Sequence, residues 1–151
     1  MRRRILFRAK ISHNGEWLYG SIVQRGQHSY IVADNFSVSE VDPATVGQLI
    51  CEVRKSNGEK FKIFEHDILC ITWKNFIYKK PLVALWDGEE NGFVLYKCDK
   101  LDPLIRNDGR VCPVYPEDSN LFRDMTEIVG NAIDNPEMID WLNSEKRRIY
   151  L

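Results

Sequence analysis

Neither sign of charge predominates in this sequence, and no long apolar run interrupts it. Its 21 Lys and Arg residues and 22 Asp and Glu residues give a formal net charge of -1 over 151 residues. Domains that bind nucleic acid through their overall charge usually have a pI above about 9. The near-neutral charge argues against that mode of binding and leaves binding through a local basic patch as an alternative. The roughly 18 consecutive apolar residues of a membrane-spanning helix are absent, so no membrane association is predicted.

Cysteine and histidine are too few and too scattered to predict a disulfide framework or a helical metal motif. The four cysteines form no C-x-x-C pair: Cys51, Cys70, Cys98 and Cys112. The three histidines, His13, His28 and His66, lack the i,i+3 or i,i+4 spacing of helical ligands, although a strand-based site stays open. We therefore expect reduced thiols and no cofactor. The basic start, MRRRILFRAKI, lacks the apolar stretch of a signal peptide, so we expect a cytoplasmic protein.

Signature motifs of common enzymes are also missing. The sequence contains no G-x-S-x-G, P-loop or G-x-G-x-x-G motif. Its densest titratable cluster is Glu65-His66-Asp67, but an extended segment would point Glu65 and Asp67 to one face and His66 to the other. We interpret the cluster as a turn in which Asp67 accepts hydrogen bonds from backbone N–H groups. An enzymatic role would require the three side chains to line one pocket, and we predict that the protein is not an enzyme.

Alternating apolar and polar residues predict a mainly β fold, arranged as a single domain over residues 1–151. The first strand spans Ile5 to Ile11, and Asn14-Gly15 is a strong hairpin signal. Two further β-rich segments, EWLYGSIVQ and HSYIVA, complete a predicted three-stranded meander that ends at Ala33. Gly20 within the second segment predicts a bulge or a close backbone approach.

Capping and turn signals follow the meander. Asp42-Pro43 has the form of an N-cap with proline at the first helical position, and Gly47 is predicted to end this short turn of helix in a left-handed conformation. Asn57-Gly58 predicts the tip of a second hairpin. The segments ILCITW, PLVALW and FVLY are predicted strands, with residues 75–80 as a loop between the first two.

The C-terminal third is rich in turn-forming residues and ends in a helix signal. Residues 97–118 are predicted to be a long loop or insertion that contains one short strand, RVCPVY, and the segment LFRDMTEIVGNAI is compatible with helix or strand. Asn135-Pro136-Glu137 predicts the start of a C-terminal helix over residues 135–148. Its apolar stripe is predicted to dock on the domain's own sheet or on a neighbouring subunit: Met138, Ile139, Trp141 and Leu142.

Three segments in this order resemble the YopX family of phage and prophage proteins: GEWLYGSI, VDPATVGQ through FEHDIL, and IVGNAIDNPEMI. The residues that carry the resemblance are Thr45, Val46, Gly47, Gln48, Asn57, Gly58, Ile63, Phe64, Glu65, Asp67, Ile68, Val129, Gly130, Asn131, Asn135, Pro136, Glu137 and Met138. The family usually has a T-G-L step where this chain has ICEV at residues 50–53. His66 stands where the family has glycine, which suggests a positive φ, and His is enriched there among non-glycine residues.

The resemblance implies a mainly β fold, a small barrel or sandwich of antiparallel strands and hairpins. It also implies phage or prophage origin, a location in the cytoplasm of a bacterial host and no settled activity. Our hypothesis is a non-enzymatic accessory protein that acts through protein contacts, as a homo-oligomer or with a host or phage protein.

The alternative is a nucleic-acid-binding domain that uses the basic N-terminal strand. Its phosphate contacts would be Arg2, Arg3, Arg4, Arg8 and Lys10. Trp17 and Tyr19 would stack on bases, as aromatic side chains do in single-strand binders. The competing explanation for these charges is a solvated terminus followed by an edge strand that charge protects from aggregation.

Overall fold

Strands account for nearly all the regular structure in the computed structural model, which describes residues 5–73, 76–98, 110–114 and 126–139. The strands are β1 (Phe7–Lys10), β2 (Trp17–Arg25), β3 (His28–Val32), β4 (Val38–Val41), β5 (Gly47–Arg54), β6 (Lys60–Phe64), β7 (Asp67–Trp73), β8 (Phe76–Asp87), β9 (Gly92–Lys97), β10 (Arg110–Val114) and β11 (Thr126–Asn131). Short 3₁₀ turns span Pro43–Thr45 and Pro136–Met138. The predicted mainly β character is confirmed.

The strands form two antiparallel sheets. The first has the order β4-β3-β2-β1-β5-β6, and the second has the order β10-β9-β8-β7-β11. The chain divides into two compact units, residues 1–49 and residues 50–151, and the boundary falls inside β5. The single domain predicted over the whole chain stays a prediction.

The N-terminal unit contains the predicted meander. Lys10 lies opposite Trp17 in the β1–β2 pair, and Ser21 lies opposite Val32 in the β2–β3 pair. An additional bridge joins Ile11, just after β1, to the last residue of β4. The buried core of this unit consists of Ala9, Ile31 and Val41, with Phe7, Leu18, Ile22 and Val46 packed around it.

Gly20 marks the point where β2 changes partner. Phe7 of β1 lies opposite Gly20, whereas the next residue, Ser21, pairs with Val32 of β3. A Cβ atom on Gly20 would lie 2.1 Å from the carbonyl oxygen of Val32, far inside van der Waals contact. The close backbone approach predicted for this glycine is therefore confirmed.

Two expectations for the first sheet are wrong. The basic strand β1 is not an edge strand, because it pairs with β2 on one side and with the start of β5 on the other. Asp42 caps the first 3₁₀ turn as predicted, with its side chain accepting a hydrogen bond from the amide of Ala44 at 3.0 Å. The turn ends at Val46 in an extended conformation, however, and Gly47 begins β5 opposite Arg8.

In the second unit, β7 and β8 contribute side chains to two buried clusters, from residues 68–69 and 82–85. One cluster contains Ile50, Cys51, Val53, Ile63, Leu69, Leu82, Ala84, Phe93 and Leu95. The other contains Ile68, Val83, Leu85, Cys98, Ala132 and Ile139. Adjacent residues such as Ile68 and Leu69 thus point to opposite clusters, which explains why these strands read as continuous apolar runs without alternation.

Structure also resolves the ambiguous segments of this unit. Trp73 lies opposite Phe76, so the predicted loop over residues 75–80 is wrong and most of it belongs to β8. The ambiguous segment LFRDMTEIVGNAI contributes strand β11. The short strand predicted within residues 97–118 is confirmed as β10, although residues 99–109 and 115–118 of that predicted loop lie outside the described residues.

The C-terminal helix predicted over residues 135–148 is not seen in the described part of that range. Pro136 begins a 3₁₀ turn of three residues, and residues 140–148 lie outside the described residues. The Asn135 side chain does not cap this turn, because it accepts a hydrogen bond from the backbone of Asn131 instead. Ile139 is fully buried and Met138 packs beside it in the second cluster, so docking on the protein's own sheet is confirmed for these two residues.

Candidate functional site

The Glu65-His66-Asp67 cluster forms a tight turn between β6 and β7. Asp67 is only 2% exposed, and its Oδ2 accepts a hydrogen bond from the amide of Phe64 at 2.7 Å. His66 has a φ of 79°, and its amide donates to the carbonyl oxygen of Ala84 at 2.7 Å. The positive φ predicted for His66 and the backbone contact predicted for Asp67 are both confirmed.

The remaining carboxylate of the cluster lies beside the imidazole. Glu65 Oε2 is 3.8 Å from His66 Nε2, at the limit of an ion pair, and both side chains are largely covered. Asp67 directs its carboxylate at the backbone of its own turn. This geometry stabilises the turn, and the described residues contain no group of three His, Cys, Asp or Glu side chains placed to hold a metal ion.

Asn131 and Asn135 organise the segment that follows β11. Asn131 Oδ1 accepts hydrogen bonds from the amides of Ile133 at 3.0 Å and Asp134 at 2.8 Å. Asn135 Oδ1 accepts from the Asn131 amide at 3.2 Å. A Cβ on Gly130 would lie 2.7 Å from Asn135 Oδ1, so a larger residue there would displace the Asn135 side chain from this position. Pro136 then begins the second 3₁₀ turn.

The two motifs meet across the β7–β11 pair. Asn131 lies opposite Asp67, and Gly130 lies opposite Ile68. The amide of Ala132 donates to the carbonyl oxygen of His66 at 2.8 Å. Segments that are far apart in the sequence therefore form one structural element, held mainly through backbone groups.

The other motif residues are also structural. Thr45 Oγ1 accepts a hydrogen bond from the Lys10 amide at 2.8 Å and donates to the carbonyl oxygen of Asp42 at 2.7 Å. Gln48 lies opposite Phe7 in the β1–β5 pair. Asn57 Oδ1 accepts from the amide of Glu59 at 3.0 Å, and Gly58 takes a φ of 90° at the hairpin tip.

Part of the predicted basic site comes together on the first sheet. The guanidinium carbon of Arg8 lies 4.7 Å from the centre of the Trp17 ring, and Lys10 Nζ lies 5.4 Å from it, within the range of cation–π attraction. Tyr19 lies opposite Arg8 and is 46% exposed, whereas Arg8 itself is 7% exposed. Arg2, Arg3 and Arg4 lie outside the described residues.

An exposed phenylalanine in the β3–β4 turn was not predicted. Phe36 is 87% exposed and has a φ of 65°. Asn35 Oδ1 braces the turn by accepting hydrogen bonds from the Ser37 amide at 3.0 Å and the Ser37 hydroxyl at 2.7 Å. The neighbouring Val38 is 61% exposed. The signal in the sequence was a lone aromatic residue within the polar run from Asp34 to Glu40.

Asp87 stabilises the turn between β8 and β9. Its Oδ1 accepts hydrogen bonds from the amides of Glu89 at 2.8 Å and Glu90 at 3.1 Å, and the Tyr96 hydroxyl donates to Asp87 Oδ2.

Burial raises the pKa of the Cys70 thiol, and the nearby Glu127 carboxylate raises it further. Among the described residues, Cys51, Cys70 and Cys98 form no disulfide bond.

The chain matches no protein-family model and no curated protein. Within the described ranges, no helix combines the length and apolar character needed to cross a bilayer.

Proposed function

We propose that this protein is a non-enzymatic accessory protein of the YopX-like phage or prophage kind, acting in the cytoplasm of a bacterial host by contacting another protein. The observation that carries the proposal is Phe36, whose ring is presented to solvent from a braced turn. The partner is a second copy of this chain or a host or phage protein.

Phe36 is unfavourable for the isolated chain in two ways. An exposed phenylalanine side chain forgoes about 1.5–3 kcal/mol of burial free energy. A non-glycine residue in the left-handed region costs on the order of 1–3 kcal/mol, and such strain concentrates at functional sites. A partner that buries the ring accounts for both features.

The turn also suits rigid presentation of the ring. The amide of Phe36 donates to the carbonyl oxygen of Ala33 at 2.9 Å, and the amide of Ala33 donates to the carbonyl oxygen of Ser37 at 2.9 Å. Together with the Asn35 side chain, these bonds order the loop before binding, which reduces the entropy lost on association. Val38 supplies adjacent apolar surface.

YopX-like architecture is part of the proposal. The positive φ of His66, at a position where the family has glycine, supports it. Contact between the turn at residues 64–67 and the segment at residues 130–135 gives the separated motifs a common structural purpose. A small barrel in residues 1–49 is supported by the Ile11–Val41 bridge.

The contacts made by the Glu65-His66-Asp67 cluster support a non-enzymatic role. The Asp67 carboxylate accepts a hydrogen bond from the Phe64 amide of its own turn, and Glu65 Oε2 lies 3.8 Å from His66 Nε2. These contacts give each carboxylate a structural role.

Size-exclusion chromatography with light scattering tests self-association. We expect a defined oligomer heavier than the 17.7 kDa monomer, with a mass that falls on dilution if the contact is weak. A strict monomer at high concentration would remove the second copy as the partner. Capture from phage-infected host extract, with wild type and Phe36→Asn side by side, would then test a different partner. Equal recovery by both proteins would contradict the proposal.

A further inference from the structure

We propose that the face of the first sheet that carries Lys10, Trp17, Tyr19, Arg25 and Tyr30 binds single-stranded nucleic acid. We call this surface the Tyr19 face. Tyr19 is the ring on which a base stacks, and Lys10 and Arg25 contact phosphates. This inference goes beyond the protein contact proposed above, which uses the β3–β4 turn.

Strand register places these side chains on one face of the first sheet, with Lys10, Trp17 and Tyr19 near one end of β2 and Arg25 at the other. Residues directly opposite each other in an antiparallel pair project to the same face, and alternate residues along a strand share a face. Lys10 lies opposite Trp17, and Tyr30 lies opposite Val23. Trp17, Tyr19, Val23 and Arg25 alternate with Leu18 and Ile22, which pack on the core of the N-terminal unit. The Tyr19 face is therefore the face directed away from that core.

Solvent exposure distinguishes the side chains of the Tyr19 face that can touch a ligand from those that position them. Tyr19 is 46% exposed and Arg25 is exposed, so both can touch a ligand. Arg8 is 7% exposed, and its guanidinium lies against the Trp17 ring. We therefore assign Arg8 and Trp17 as positioning residues: Arg8 packs on the Trp17 ring, and Trp17 holds Lys10 on the strand pair that also carries Tyr19. This assignment revises the phosphate contact expected for Arg8.

The N-terminal unit has a positive net charge, whereas the rest of the chain has a negative one. Residues 1–49 contain six Lys and Arg residues and four Asp and Glu residues, a net charge of +2. The whole chain has a net charge of -1, so the remaining residues carry -3. Glu40, opposite Tyr30, places one carboxylate on the Tyr19 face, and its Oε1 lies 2.6 Å from His28 Nδ1. Three of the six cations are Arg2, Arg3 and Arg4, which precede β1, so the positive charge that attracts a phosphate backbone to this unit depends on them, and Lys10 and Arg25 add to it on the Tyr19 face.

These features favour single strands over duplexes. Unpaired bases offer their flat faces to aromatic side chains, and this stacking accepts any base. Base edges in a duplex are reached through the major groove by an inserted helix or two-stranded ribbon. The Tyr19 face instead offers side chains on the surface of a sheet. The expected ligand is single-stranded DNA or RNA with little sequence preference.

Fluorescence anisotropy of the full-length chain tests the proposal with labelled oligothymidine and oligouridine of about 15 nucleotides and a duplex of equal length. We expect binding to the single strands at 50 mM salt that weakens at 200 mM salt. Tyr19→Ala should weaken binding roughly tenfold, while Tyr19→Phe, which keeps the ring, should retain it. Lys10→Gln should flatten the slope of log affinity against log salt by about 0.7.

Matched controls separate this site from general charge and from the protein contact. Lys60→Gln removes an equal charge from β6 and should change binding far less than Lys10→Gln. Phe36→Asn should leave oligonucleotide binding unchanged, so failure of one proposal does not affect the other. Three results would each overturn the inference: no salt-sensitive binding at 50 mM salt, tighter binding to the duplex, or equal affinities for wild type and Tyr19→Ala.

Discussion

Ala132 donates a backbone hydrogen bond to the carbonyl oxygen of His66 at 2.8 Å, while the amide of His66 donates to Ala84 at 2.7 Å. Both backbone groups of His66 are thus fixed by other strands or turns. A left-handed conformation at a non-glycine residue persists when the surrounding structure determines it in this way. The hydrogen bonds explain why His66 occupies a position that favours glycine.

His66→Gly and His66→Ala should therefore differ in stability. Both lose the imidazole, so comparing them isolates the backbone effect. We expect the glycine variant to have a free energy of unfolding about 1 kcal/mol higher than the alanine variant, because glycine adopts positive φ at little cost. His66→Gly should itself be tolerated or stabilising relative to wild type. Urea denaturation measures all three, and an alanine variant as stable as the glycine variant would show that φ is not limiting.

Gly20→Ala should strongly destabilise the protein. The added methyl group would lie 2.1 Å from the carbonyl oxygen of Val32, and both atoms belong to paired strands that cannot separate freely. We expect a loss of about 3 kcal/mol or more in the free energy of unfolding. Gly88→Ala is the matched control, because no atom lies within 4 Å of its added Cβ. Thermal denaturation of the two variants should separate them clearly, and equal melting temperatures would disprove the close approach.

Cys70 should react slowly with iodoacetamide at neutral pH. Only the thiolate reacts, and burial together with Glu127 raises the pKa of this thiol above its ordinary value of 9.0. The pH midpoint of Cys70 alkylation, followed by peptide mass spectrometry, should therefore lie above 9.0. Glu127→Gln should lower the midpoint without restoring the ordinary value, because burial remains. A wild-type midpoint at or below 9.0 would contradict this assignment.

The raised pKa of Cys70 also has a consequence for stability. The folded-state pKa of Cys70 is above the unfolded value, so the thiol affects stability little below pH 9. As the pH rises above that value, the unfolded chain loses its proton first, and the free energy of unfolding decreases.

Local patterns predicted the fold well where neighbouring residues determine the structure. Asn57-Gly58 predicted a hairpin tip, and Gly20 predicted a close approach, because both signals depend on backbone freedom at one position. The local pattern gave a wrong prediction at residues 75–80, where the lysines and Pro81 are typical of a loop. Pairing with β7 instead extends β8 to Phe76. Cross-strand partners of this kind are set by tertiary contacts that no local window contains.

The residues of the candidate sites were predictable only where the local sequence determines their placement. Alternation placed Arg8 and Lys10 on one face, but burial of Arg8 against Trp17 depends on the whole sheet. The sequence does not single out Phe36, because residues 34–40 form a polar, turn-like run. Its exposure follows from the braced geometry of residues 33–37, which becomes visible only when the hydrogen bonds of Asn35 are known.

Phe36→Asn provides the most direct test of the proposed protein contact. Asparagine tolerates positive φ and removes exposed apolar surface, so the variant should melt at or above the wild-type temperature. Light scattering of wild type, Phe36→Asn and the control Tyr19→Ala at matched concentrations should show loss of the oligomer in Phe36→Asn alone. If the wild type is an oligomer, a Phe36→Asn variant that keeps its mass would contradict the account, because Phe36 would then not be an association residue. A variant that melts well below wild type would also contradict it, because Phe36 would then not be held at a cost to stability.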